Sequence, residues 1–463
     1  LSLHDALPIY YKLDPANYIS APGLAWDAML LLTGIELDLI TELKMLDMIE
    51  RQKRGGLCFV GTKRYIKANN KYLDDFDINK PSNYLMYWDA NNLYGWAMSQ
   101  LLPTGNLQFR NDVSIDQILK TSDDNPTGYI IEVDLRFPKE IHDKLKQYPP
   151  CPESITPEIE WFSDIQKEIG EKNKVIKNCK YNGSNKLIPH LFEHKNYVIH
   201  YRNLMFIKDL GVEIGQVHNI SSFDQSAWLK KYIDFNTQKR QHANNDFEKD
   251  FFKLMNNAVF GKTMENVKNR MQLYITTDDD KAVKWFSKLN FKDTRHFDGL
   301  HLIEMYKNEI VYDKPIYVGT SILDLSKLCM MDFHYNTIEK NFKDKYNLIY
   351  SDTDSLVYSL EHEDIYEWIK QNPNDFDLTD SKVLGKFKDE MGGLVMKEFT
   401  ALNPKVYSII TQHEEEIKEM KDKLIPETNK VGFEVVKTKV YHENYNKKTL
   451  KGVSKPVVKH EIT

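Results

Sequence analysis

The chain has 463 residues, 41% hydrophobic and 12% aromatic, which is enough to build two to four packed subdomains and too apolar for wholesale disorder. Its formal net charge of −6 excludes a globally basic nucleic-acid binder, although a basic channel can lie within an acidic surface. Cys58, Cys151, Cys179 and Cys329 stand far apart without a CxxC pair, which argues against a disulfide framework or zinc knuckle and for a reducing interior; no apolar run reaches the ~18 residues of a membrane span.

Residues 1–9 resemble the translation of a sequencing adaptor, so they are expected to be an artefact and the chain a piece of a longer reading frame. Residues 25–32 have helical apolar spacing, and Arg54-Gly55-Gly56 forces a turn. Tyr84–Trp88 is an aromatic run of the kind that makes a buried strand; it ends at Asp89, and residues 92–98 follow with helix-like spacing. Residues 106–185 read as polar and loop-rich around one strand at 128–135 and a Pro149-Pro150 break. A strand at 197–201, a helix at 203–210 and a strand near Val217 come next. Residues 236–270 read as one long charged-apolar helix, richest in pattern between Asn245 and Val259. Residues 346–350 and 356–360 flank Asp352-Thr353-Asp354-Ser355 as strand, tight turn, strand, and beyond Lys405 the balance turns basic. Strands and helices are mixed without a regular βαβ alternation, which predicts an α+β fold.

Phosphoryl transfer to a 3′-hydroxyl needs two divalent ions about 3.5–4 Å apart, held by carboxylates at the ends of adjacent rigid strands. Asp89 closes one predicted strand, while Asp352 and Asp354, at i and i+2, share a face at a predicted hairpin tip. Taken singly, each is an ordinary turn aspartate. An EF-hand starting at Asp352 fails, because Val357 stands where the loop needs glycine.

Asp89-Ala-Asn-Asn-Leu-Tyr-Gly95 resembles the DxxSLYP element of B-family DNA polymerases, and Tyr350-Ser-Asp-Thr-Asp-Ser355 their YxDTDS element. Between them, Lys253-Leu-Met-Asn-Asn257-Ala-Val-Phe260-Gly261-Lys262 resembles KxxxNSxYGK. Two further segments are similar to elements of the protein-primed branch: Lys53-Arg54-Gly55-Gly56 to YxGG, and Lys405-Val-Tyr407 to KxY. Lys451-Gly-Val453 resembles a lysine-rich thumb segment of viral and transposon members. The resemblance spans residues 10–463 and is strongest to polymerases of self-synthesising DNA transposons and related viruses.

That resemblance implies a right-hand polymerase: a palm with an antiparallel sheet, helical fingers, a partial thumb and insertions like the terminal-protein regions. Residues 10–78 would carry the linker and RGG segment, 79–105 and 316–410 the palm, 226–267 the fingers, 411–463 the partial thumb. Residues 106–225 and 268–315 would hold the insertions. It implies Asp89, Asp354 and the Ala90 carbonyl as ligands of two Mg²⁺ ions (or Mn²⁺), with Asp352 as a weaker third carboxylate. Tyr94 would lie under the nucleotide's sugar, and Lys253, Asn257, Phe260 and Gly261 would present one helix face to the dNTP, with Met255 and Val259 inward. Arg240, beside Lys239, would add a second triphosphate cation. Arg54, Gly55, Gly56, Lys262, Thr353, Lys405, Tyr407 and Lys451 would contact template and primer DNA, and a terminal priming protein is an implied partner.

Departures from the family pattern are Ala258 for Ser, Phe260 for Tyr, Gly95 for Pro and Lys53 for Tyr; the last puts the template-contact role in doubt. No exonuclease motif set precedes residue 53, so no proofreading is expected. Competing readings are a catalytically dead or unstable truncated remnant that only binds DNA, and a zinc metallopeptidase at His190-Leu-Phe-Glu193-His194, whose HxxEH pattern lacks a third ligand. A reverse transcriptase would want YxDD at residues 350–354.

Overall fold

The structure, a computed structural model, describes residues 10–178, 180–379 and 382–412, and the backbone of 446–450. The adaptor-like residues 1–9, Lys451 and most of the expected thumb region 411–463 lie outside the described residues. Helices mix with antiparallel sheets.

The largest sheet among the described residues has nine strands. Its main path runs Cys58–Val60, Tyr346–Asp352, Ser355–Glu361, Asn83–Ala90, Met396–Asn403, Val406–Thr411 and Asn446–Leu450. Strand Asn83–Ala90 is continuous in apolar character because it is covered on both faces. Tyr84, Met86 and Trp88 point into one core, and Leu85 and Tyr87 into another with Ile349, Val357 and Phe399. Alternation along the strand divides its side chains between the two cores. Short strand Phe387–Asp389 pairs with the end of Asn83–Ala90.

A four-stranded sheet, ordered His194–His200, Thr127–Arg136, Glu213–Ser226 and Leu102–Phe109, contains the strands expected at 128–135, 197–201 and near Val217 and adds Leu102–Phe109, which was not expected. Its central strand Thr127–Arg136 buries Ile130, Ile131, Val133 and Leu135. A three-stranded sheet of Gln272–Thr276, Leu300–Met305 and Phe291–Phe297 packs helix Asp279–Phe286 over a small core of Ala282, Ile303 and Met305.

The single helix expected over 236–270 is two, Lys230–Gln241 and Asp246–Thr263. Asn245 breaks it: its extended backbone caps the second helix, and its side chain accepts from the Glu248 N–H at 2.9 Å. The Glu248 carboxylate accepts in return from the Asn244 N–H at 2.9 Å. Both helices pack with Ala21–Thr33, where the buried Tyr232 hydroxyl donates to the Met255 carbonyl at 3.1 Å. Helix Ile316–Asp332, extended by the π-helical turn Phe333–Glu339, threads between these layers with nearly every side chain buried.

Candidate active site

Asp89 lies near the end of Asn83–Ala90, opposite Ser355 on one side and Lys388 on the other. The Ala90 N–H donates to the Asp354 carbonyl at 2.7 Å, which ties the hairpin turn to the end of the neighbouring strand. The turn is tight, with the Asp354 N–H donating to the Asp352 carbonyl at 2.7 Å and Thr353 in a left-handed conformation at φ 62°. Two carboxylates, Asp89 and Asp354, thereby border one cavity of about 260 Å³.

The electrostatics are those of carboxylates crowded out of water. Burial, then the charge of Asp354, raises Asp89 to about 7 against the opposing pull of Lys388. Burial raises Asp354 as well, with Asp352 adding repulsion and Lys405 opposing it. Lys388 Nζ stands 3.2 Å from Asp89 Oδ1 and 2.6 Å from Glu390 Oε1. Oxygen donors that repel one another at a strand end fit a hard divalent cation, because a positive charge between them cancels the repulsion and offsets the cost of burying their charged forms. Asp352 stands apart from this pair: its carboxylate is ion-paired with Lys405, whose backbone N–H donates to the Tyr350 hydroxyl at 2.9 Å.

The same cavity is lined by Ala90, Tyr94, Arg240, Lys253 and Asn257. Tyr94 stacks on Phe260, with ring centroids 4.5 Å apart and planes 14° apart. Arg240 Nε and Asn257 Oδ1 are buried atoms with no hydrogen-bond partner among the described residues, which leaves both open to a ligand in the cavity. Met255 and Val259, on the opposite side of helix Asp246–Thr263, are fully buried. Gly261 is exposed and has nothing within 4 Å of where a Cβ would be; it is not among the cavity's lining residues.

Several expected DNA contacts are engaged inside the protein. The Arg54 guanidinium is buried: Nη1 donates to the Val198 carbonyl at 2.7 Å and the group lies 3.6 Å from the Tyr197 ring centroid. Its expected role as a DNA-contacting side chain is therefore corrected to that of an anchor for the Gly55-Gly56 loop, reinforced by Lys327 Nζ donating to the Arg54 carbonyl at 2.7 Å. Lys262 pairs with Glu265 at 3.2 Å, and Glu265 is held in turn by Arg270. Tyr407 is in the core, its hydroxyl 3.2 Å from that of Tyr87. Gly55 is exposed, and Gly56 faces Thr353, where a Cβ would approach the threonine side chain to 2.5 Å.

Lys388 and Glu390 are cavity residues that the sequence did not single out. They belong to a short charged segment, indistinguishable by pattern from a solvated loop, and only strand pairing brings Lys388 beside Asp89. The metallopeptidase reading is also corrected. Residues 189–193 form no helix, and Glu193, the base of that reading, is 58% exposed and 3.6 Å from Lys195.

No family model matches the chain, and no curated protein matches it in sequence. Among solved structures, it is similar to phi29 DNA polymerase in an orthorhombic crystal form, with a TM-score of 0.52 and 17% identity over 88% of this chain and 58% of that one. Phi29 DNA polymerase complexed with primer-template DNA and incoming nucleotide substrates gives 0.52 and 18% over the same shares, 88% and 58%. The post-translocation binary complex of phi29 DNA polymerase with primer-template DNA gives 0.50 and 17%, over 88% and 57%. The chain thus spans less than two thirds of the length of these structures, and at this identity the likeness is one of fold: the described residues have a DNA polymerase-like fold.

Proposed function

We propose that this chain is the catalytic core of a DNA-directed DNA polymerase, extending a primer 3′-hydroxyl with dNTPs on a DNA template. The observation that carries the reading is the convergence of Asp89 and Asp354 on a cavity that also exposes Arg240, Lys253, Asn257 and Tyr94. In this reading the nine-stranded sheet is the palm, helices Lys230–Gln241 and Asp246–Thr263 the fingers, and the four- and three-stranded sheets the insertions.

Asp89, Asp354 and the Ala90 carbonyl would hold two Mg²⁺ ions, or Mn²⁺, with Asp352 as an outlying carboxylate. When bound, such ions supply charge neutralisation at the attacking and leaving oxygens of an in-line displacement. The chain's own groups do the positioning. Arg240 and Lys253 match the negative charge of a triphosphate, and Asn257 offers a buried amide to the nascent pair. Tyr94, braced by the Phe260 ring, forms a rigid floor on which a 2′-hydroxyl would clash. Lys405 holds Asp352 and so the hairpin tip. Gly55-Gly56 permits close approach of template backbone. Protein priming rests on the RGG and KxY resemblances.

Extension of a primed template with Mg²⁺ tests this. Asp354→Asn should lower the rate by at least about 10³-fold while primed-DNA affinity stays within a few-fold. Equal extension by both proteins would overturn the mechanism, and DNA binding without extension by either would favour the inert remnant. A covalent nucleotide adduct on an added candidate priming protein would identify protein priming.

A further inference from the structure

Between the sheet strands Thr127–Arg136 and His194–His200 the chain makes an excursion whose neck is a two-stranded pairing of Glu153–Ile155 with Lys186–Ile188. Beyond the neck lie helix Asp164–Lys172 and the short hairpin of Ile176–Lys177 and Lys180–Tyr181. At the neck, Glu153 on the outgoing strand meets His190 and His194 on the returning segment. One donor atom from each of the three lies within 4.8 Å of the others. Glu153 Oε2 is 3.1 Å from His190 Nε2 and 3.8 Å from His194 Nε2, and the two imidazoles stack at 4.5 Å.

A carboxylate beside two histidines is commonly an ion pair, but one feature is at odds with that. Both rings are closed off from water, with side chains 8% and 0% exposed. His194 Nδ1 nevertheless has no hydrogen-bond partner among the described residues, while His190 Nε2 faces the Glu153 carboxylate at 3.1 Å. Buried unpaired nitrogen is costly, and its usual explanation is a bound water or ion. His194 Nε2 lies 2.7 Å from the Cys151 carbonyl, and a ring N–H held on a backbone carbonyl is the arrangement that fixes the tautomer of a ligating histidine and leaves its other nitrogen a lone pair.

We propose that Glu153, His190 and His194 bind one zinc ion, which clasps the neck of the 153–190 excursion onto the four-stranded sheet. Two imidazoles and one carboxylate form a borderline-soft donor set that suits zinc rather than magnesium or calcium. The role is structural, because Glu193, the carboxylate that hydrolysis would require, is exposed and paired with Lys195. The site stands apart from Asp89 and Asp354 and does not depend on the polymerase reading.

The test uses the full chain, untagged, with Asp89→Asn and Asp354→Asn introduced together so that the strand-end carboxylates cannot contribute. After chelator treatment and dialysis against zinc, elemental analysis should find one equivalent per chain. Glu153→Gln and His190→Gln should each weaken zinc binding by at least about tenfold, and zinc should slow proteolysis within 156–186 in the parent but not in these variants. Cobalt in place of zinc should give the visible bands of a nitrogen-and-oxygen site, a readout that needs no variant at the neck. Less than a tenth of an equivalent of zinc, or a full equivalent that both neck variants retain, would overturn the proposal.

Discussion

Thr353 has a left-handed backbone at φ 62°, a conformation that β-branched residues rarely adopt. The surrounding contacts impose it. The Thr353 N–H donates to the Leu57 carbonyl at 2.7 Å, and the side chain presses on Gly56, where a Cβ would lie 2.5 Å from Cγ2 and Oγ1. Gly56 is thus needed for its missing side chain, and the 53–57 loop fixes where Asp354 stands. Gly56→Ala should push the hairpin tip away, cost about 1–3 kcal/mol by overpacking, and slow primer extension by roughly ten- to a hundredfold through misplacement. Denaturant unfolding and extension rates would check both; an unchanged rate would mean that the tip yields without moving Asp354. At this scale the sequence singled out Asp89, Asp352 and Asp354 because distinctive residue strings mark them, and the structure brings Asp89 and Asp354, but not Asp352, to one cavity. Arg54 could not be read correctly, since a basic residue beside two glycines looks the same whether it meets phosphate or, as here, a buried carbonyl and a tyrosine ring.

At the scale of elements, hydrophobic period decided what the sequence revealed. Asn83–Ala90 and the hairpin 346–361 were legible because short aromatic and β-branched runs are bounded by turn residues. Helix Ile316–Asp332 was not, because it is buried on all sides and carries no polar stripe to set a 3.6-residue period. The break at 242–245 was missed because charged residues flank it on both sides, although Asn244-Asn245 carries a turn and N-cap signal of its own. Asn245 is the residue that makes the break. Asn245→Ala should remove the cap on helix Asp246–Thr263 and cost about 1 kcal/mol. Lys253 and Asn257 would remain on the helix, so the cost should appear as a lower thermal midpoint with extension at low temperature within about twofold of the parent. A loss of extension as large as that from Asp354→Asn would instead show that the cap positions the cavity face.

Across the whole molecule, the layers that meet at helix Ile316–Asp332 and its extension enclose two histidines that the candidate site does not use. His200 and His334 are both fully buried, and burial lowers each to about 3. His334 Nδ1 lies 2.8 Å from the Tyr358 hydroxyl among the rings of Tyr148, Tyr335 and Tyr346. His200 has the Arg202 charge nearby, which disfavours protonation further. In the unfolded chain both take a proton below about pH 6.5, whereas in the folded protein both stay neutral down to about pH 3. Over that window the unfolded state binds more protons at these two histidines, so they make stability fall as the pH is lowered, by roughly 1.4 kcal/mol per pH unit each, while Asp89, raised to about 7 in the folded protein, works in the opposite direction by one group's share. The effect should be absent above about pH 7, where neither state is protonated. Denaturant unfolding between pH 7 and 4 would measure the slope, and His334→Gln should make it shallower by about one histidine's share even though the substitution lowers stability at neutral pH. A parallel slope in the variant would show that His334 is reached by protons in the folded state, and hence that the packing between the sheets opens more readily than the continuous core implies.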